Sequence, residues 1–164
     1  MKVVFDSSTL ILLAKIDILR LVTKKVKIEI PKKVKDECTA KDVFDAKVIS
    51  TLLRESLIQV KEAGSKKAID KLCKDFRIQS GEAEALHLAK KEGCPLAVDD
   101  GPTIKACKIL DIRFTTAVHF LINMVEDGKM DRQMAKAKLE KLSFYGRYKR
   151  RIIDHALKRI EGDN

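Results

Sequence analysis

Apolar residues in this chain fall into short continuous runs, separated by longer stretches where they recur every three or four positions. Lys2 to Phe5, rich in β-branched and aromatic side chains, reads as a first strand. Val26–Ile30, Leu57–Val60, Leu96–Val98 and Ile112–Phe114 read as four more. The intervening stretches have helical spacing. Leu10–Ala14 and Asp17–Thr23 are expected helices, and Asp6, Ser7 or Ser8 can cap the first. Pro31 suits the first position of a helix carrying Val34, Glu37 and Cys38, because its missing N–H costs nothing there. Asp42–Glu55 repeats Val43, Ala46, Ile49 and Leu53 on one face. Further helices are predicted over Ser65–Phe76, over Ser80–Glu92 with Ser80 as cap and Gly93 as stop, and over Pro102–Leu110. Thr116–Glu126, Asp131–Leu142 and Arg147–Ile160 follow, with Gly128 between the first two. Strands alternating with helices predict an α/β fold: a parallel sheet covered on both faces, with terminal helices appended.

The same phasing puts acids in unusual places. In Pro95-Leu96-Ala97-Val98-Asp99-Asp100-Gly101-Pro102 a buried strand runs straight into two adjacent carboxylates. They lie at the carboxyl end of a strand, where open α/β sheets bind ligands. Asp100 also reads as a cap for the helix that follows. Asp6 ends the first strand in the same manner. In the helix from Ser80, Glu82 shares a stripe with Ala85, Leu86 and Ala89, whereas Glu84 lies with His87, Leu88 and Lys91 on a more mixed face. Glu37 follows Val34 by three residues, beside that helix's apolar stripe. If the first strand and the Leu96 strand are neighbours, Asp6 stands beside Asp100. Carboxylates gathered this way repel one another and call for a cation. An oxygen-only donor set without His or Cys favours Mg²⁺ or Mn²⁺.

Composition narrows the partner. The 164 residues suit one domain, and 45% hydrophobic residues suffice for a core. A net charge of +10 favours a polyanion, most simply nucleic acid. Arg147, Lys149, Arg150, Arg151, Lys158 and Arg159 face only Asp154 in the terminal helix, with Tyr145 and Tyr148 nearby as stacking groups. Apolar runs are too short to span a membrane, and Asp6 comes too early for a secretory signal. Cys38, Cys73, Cys94 and Cys107 form no close pair and read as reduced core thiols of a cytoplasmic protein. No P-loop and no Gly-x-Gly-x-x-Gly is present. A haloacid-type phosphohydrolase wants a second Asp where Ser8 stands, and a receiver domain wants its acid pair after the first strand rather than late.

Four ordered motifs carry a family resemblance. They are Val3-Val4-Phe5-Asp6-Ser7-Ser8, the Val34-to-Glu37 helix acid, Gly81-Glu82-Ala83-Glu84-Ala85-Leu86-His87-Leu88-Ala89, and Leu96-Ala97-Val98-Asp99-Asp100. Over nearly its whole length the chain resembles PIN-domain ribonucleases, and its Gly-Glu-x-x-Ala motif is similar to a prokaryotic subgroup close to the VapC-type toxins. The resemblance implies a three-layer α/β/α sandwich with a central parallel sheet of about five strands. It implies one PIN-like domain over residues 1–164, with 129–164 as a basic helical extension. It further implies metal-dependent endonucleolytic cleavage of RNA, with Asp6, Glu37, Glu82 and Asp100 as catalytic acids. Asp6, Asp99, Asp100 and Glu82 would hold Mg²⁺ or Mn²⁺. Ser8, Arg147, Lys149, Arg150 and Arg151 are the candidate substrate contacts. An antitoxin protein and a second copy of the chain are the implied protein partners. Two departures stand out: Val98 occupies a position commonly Thr, and the third acid is Glu82 or Glu84 rather than Asp. A catalytically degenerate PIN-like module that binds RNA or protein is the alternative.

Overall fold

A computed structural model describes residues 1–162, so the last two residues of the expected 129–164 extension lie outside it. The chain forms two compact units, Met1–Thr115 and the stretch from Thr116 onward. The first unit runs β1 (Lys2–Phe5), α1 (Ser7–Lys15), α2 (Leu19–Thr23), β2 (Lys27–Pro31), α3 (Lys32–Thr39), α4 (Phe44–Arg54) and β3 (Ile58–Lys61). It continues through α5 (Lys66–Phe76), α6 (Ser80–Glu92), β4 (Leu96–Ala97), α7 (Gly101–Ile109) and β5 (Phe114–Thr115). All five strands are parallel, in the order β3-β2-β1-β4-β5. This is the expected α/β/α sandwich around a five-stranded sheet.

The order follows from the pattern of apolar residues. Val3, Val4 and Phe5 are all buried, as a central parallel strand covered on both faces requires. The edge strands are short or charged: Gln59, Val60 and Lys61 of β3 are exposed, which discourages pairing with another sheet. From β1 the chain steps outward to β2 and β3, then returns to the other side of β1 for β4 and β5. With right-handed crossovers, that reversal puts the two sets of helices on opposite faces. Accordingly α1, α3 and α4 pack together, and α5, α6 and α7 pack together. The reversal also opens a crevice between the carboxyl ends of β1 and β4, where Val4 pairs with Leu96 and Phe5 with Ala97.

Several boundaries differ from expectation, each for a local reason. Asp17 is left-handed (φ 58°) and terminates α1, with Ile18 N–H returning to the Leu13 carbonyl; α2 therefore begins at Leu19. Asp111 (φ 55°) does the same after α7, which moves β5 to Phe114–Thr115. Pro31 is the last residue of β2 and the N-cap of α3, its ψ of 162° being extended. Val43 lies outside α4 and is exposed; the buried stripe is Ala46, Ile49 and Leu52. Gln79, not Ser80, is the N-cap of α6, because Glu82 reaches back to the Gln79 N–H at 2.8 Å.

The second unit contains α8 (Ala117–Glu126), α9 (Arg132–Tyr145) and α10 (Arg150–Glu161), packed on one another. Glu126 pairs with Arg159 at 2.5 Å and Lys136 with Glu161 at 2.9 Å. Arg147 precedes α10 and Lys149 is its N-cap, because the chain is extended at both Gly146 and Lys149. Among the described residues no helix is long and apolar enough to cross a membrane.

Candidate active site

The crevice beside β1 is lined by acids from four segments. Asp6 leaves β1, is 1% exposed, and is the N-cap of α1. Its backbone N–H donates to the Ala97 carbonyl at 3.0 Å, which locks the ends of β1 and β4 together. Asp99 and Asp100, half-buried, leave β4, and Asp100 is the N-cap of α7. Glu82 is half-buried in the first turn of α6, and Glu37 is exposed on α3. For Asp6 and Asp100, capping and membership of the cluster are not alternatives. A strand that ends on an Asp cap aims a helix N-terminus and a carboxylate at the same crevice.

Hydroxyls tie these acids together. Ser8 Oγ donates toward both Asp6 carboxylate oxygens, at 2.8 and 3.0 Å, and accepts from the Asp99 N–H at 3.1 Å. Thr9, fully buried, donates its N–H to Asp6 Oδ1 at 3.2 Å and its hydroxyl to Asp99 Oδ2 at 2.7 Å. One turn of α1 thus fixes the acids of two strands. Ser7 donates its hydroxyl to Glu37. Thr103, also fully buried, places its N–H at 3.0 Å and its hydroxyl at 2.7 Å from Asp100 Oδ2. Gly81 lies against the Glu37 carboxylate: an added Cβ would stand 2.7 Å from Oε2.

Of the two candidates on α6, Glu82 lies with the other acids, and Glu84 instead accepts from the Lys33 N–H at the start of α3 (3.3 Å). In the sequence Thr9 and Thr103 carry no assigned role, Ser7 is only a cap candidate and motif member, and Gly81 is only part of a motif. The signal was there: three hydroxyls directly after Asp6, a Thr three residues after Asp100, and a Gly before Glu82. Arg147, Lys149, Arg150 and Arg151 are exposed in the second unit, with Arg150 3.8 Å from Asp154.

The cluster carries unneutralised negative charge. Burial pushes the Asp6 carboxyl up to about 7, the nearby charges of Asp99 and Glu82 add to this, and the Ser8 and Thr9 donors oppose it. Glu82 is raised as well, first by burial and then by Asp100 and Glu37, against its bond from Gln79. Among the described residues, no three His, Cys, Asp or Glu side chains converge closely enough to hold a metal ion as they stand. Local bonds contribute to this, since Asp6, Glu82 and Asp100 are each drawn back onto the start of the helix they open. The donor set nonetheless fits a hard divalent cation, since every oxygen the cluster offers is a carboxylate's.

A family model described as DUF3368, PIN domain, matches residues 2–162. The chain belongs to the PIN-domain family. PIN domains are generally nucleases that use divalent metals, and an acid-lined crevice at the sheet reversal suits that chemistry. No curated protein and no solved structure matches the chain.

Within this PIN domain Thr103 is open to a direct test. Thr103→Val keeps the shape and removes one of the two donors to Asp100 Oδ2. Unfolding in urea is expected to show a loss of about 1–2 kcal/mol. A midpoint equal to wild type would show that the hydroxyl does not hold Asp100.

Proposed function

We propose that this PIN domain is a Mg²⁺- or Mn²⁺-dependent endoribonuclease that hydrolyses RNA phosphodiester bonds in the crevice between β1 and β4. The observation that carries this reading is the gathering of Asp6, Glu37, Glu82, Asp99 and Asp100 where burial and mutual repulsion raise Asp6 to about 7. Asp6, Glu82, Asp99 and Asp100 would hold the cation, with Glu37 completing the cluster at its exposed rim. A divalent cation bound there supplies positive charge to the scissile phosphoryl oxygens and acidifies the attacking water. The chain's own residues do the positioning. Ser8 and Thr9 keep the acids of β1 and β4 at fixed separation, and Thr103 leaves Asp100 Oδ1 directed away from its cap bonds. The surplus of +10 draws the polyanion in, and Arg147, Lys149, Arg150 and Arg151 are the proposed contacts to its backbone. The form of the Gly81–Ala89 motif supports a toxin role in the cytoplasm, with a small antitoxin protein and a second copy of the chain as protein partners.

One observation favours a second reading. The acids accept local hydrogen bonds and, among the described residues, no ligating trio is preformed, as a degenerate module that only binds RNA would have it. Incubation of a labelled single-stranded RNA with Mn²⁺, with Mg²⁺ and with chelator separates the two. Cleavage with either ion and none in chelator is the expected result. Binding without cleavage under every condition would replace the nuclease with the binding module.

A further inference from the structure

A second feature of the first unit lies outside the acid crevice. A cavity of about 530 Å³ opens where α3 gives way to α4. Its wall includes Lys41 from the connecting loop and Lys47, Ser50 and Arg54 from one side of α4. Lys47 and Arg54 are seven residues apart, two helical turns, and so share a stripe, with Ser50 between them. Asp42 also lines the cavity and pairs with Lys47 at 3.2 Å, but that pair is largely exposed and holds Lys47 only weakly. The Arg54 guanidinium rests on the Thr51 hydroxyl at 3.1 Å. The cavity therefore presents cations and a hydroxyl, an arrangement for a phosphate and not for an apolar ligand.

An aromatic ring stands at the start of the same helix, outside the cavity lining. Phe44 opens α4 and is 63% exposed. It lies seven residues before Thr51, which lines the cavity, and three before Lys47, so it borders the cationic stripe. Core packing does not explain Phe44, because the buried face of α4 is Ala46, Ile49 and Leu52. An exposed ring beside phosphate-binding cations is the pairing used for single-stranded nucleic acid, where a base stacks and its backbone is neutralised. The cavity begins at Thr39, two residues beyond Glu37 on the same helix. Cavity and Glu37 rim thus share α3, along which a strand seated at the acids can extend.

We propose that the cavity between α3 and α4 is an RNA subsite: Lys41, Lys47 and Arg54 bind backbone phosphate of the strand that enters the crevice, and Phe44 stacks on one of its bases. This rests on the reading of the domain as a ribonuclease. It adds that single-stranded RNA is selected by a site built on α4.

The test uses fluorescence anisotropy of a labelled 12-nucleotide single-stranded RNA in chelator, where no cleavage is expected. Lys47→Ala with Arg54→Ala is expected to weaken binding about 10-fold or more at 0.1 M salt. It should also flatten the slope of log affinity against log salt by about 1.4, the value for two phosphate contacts on a single strand. Phe44→Ala should weaken binding with the slope unchanged, and Phe44→Tyr should restore it. Equal affinity and slope in wild type and variants, or no binding by wild type, overturns the subsite. A parallel cleavage assay with Mn²⁺ keeps the two readings apart. Wild-type cleavage with unaltered variant binding removes the subsite alone; subsite-dependent binding without cleavage removes the nuclease alone.

Discussion

Replacing Asp6 with Asn is expected to abolish RNA cleavage and, in chelator at pH 8, to raise the melting temperature. The two effects have one cause. Asp6 is buried with other acids around it, and its carboxyl is pushed up to about 7 from an ordinary 3.8. Between those values the folded chain keeps a proton that the unfolded chain has lost. Stability through this group therefore falls as pH rises from about 4 to about 7, and above that the full penalty for holding the charge is present. A shift of that size corresponds to about 4 kcal/mol at about 1.4 kcal/mol per pKa unit. Asn keeps an acceptor for Ser8 and Thr9 without the charge, and recovering about half the penalty raises Tm by roughly 4–8 °C in a chain of this size. Adding Mn²⁺ should reverse the order, since a cation that binds only the folded wild type stabilises it in proportion to log concentration. Loss of one electrostatic contributor should cost cleavage on the order of 10²–10³-fold or more. The readouts are thermal melts with chelator and with Mn²⁺, together with initial cleavage rates. A variant less stable than wild type in chelator, or one that still cleaves, would contradict the assignment of Asp6.

The sheet was legible in the sequence because its strands are buried on both faces. A run such as Val3-Val4-Phe5 has few other homes. The acids were legible for the complementary reason: Asp6 and Asp99-Asp100 interrupt apolar runs at strand ends. What escaped was the set of short-range devices that hold them. Ser8 was picked out as a site hydroxyl, but Ser7 and Thr9 look like any capping segment, and only the adjacency of β1 and β4 reveals that Ser8 and Thr9 bridge two strands. In the sequence, the choice between Glu82 and Glu84 stayed open, with helix phase and the count back from Gly93 favouring Glu82. The structure adds where the other glutamate goes, onto the Lys33 N–H at the start of α3. Helix boundaries shifted where left-handed Asp17 and Asp111 ended helices, a conformation that Asp adopts at low cost and that spacing of apolar residues does not signal.

Gly81→Ala is expected to separate stability from activity. Gly81 lies in the first turn of α6 with a negative φ, so nothing in its backbone requires glycine, and Ala favours the helix by up to about 1 kcal/mol. Space is what excludes a side chain: a Cβ would overlap the Glu37 carboxylate that Ser7 holds. Glu37 is exposed and can swing away, so the fold absorbs the change by giving up the position of one acid. Cleavage should fall about 10-fold or more while Tm stays within about 2 °C of wild type. If displacement of Glu37 is the whole effect, Gly81→Ala should do nothing further in a Glu37→Gln background, because the two changes remove the same group. Independent losses in the double variant would mean that Gly81 serves the crevice by some route other than Glu37. An unchanged rate in the single variant would mean that Glu37 takes no part in the chemistry.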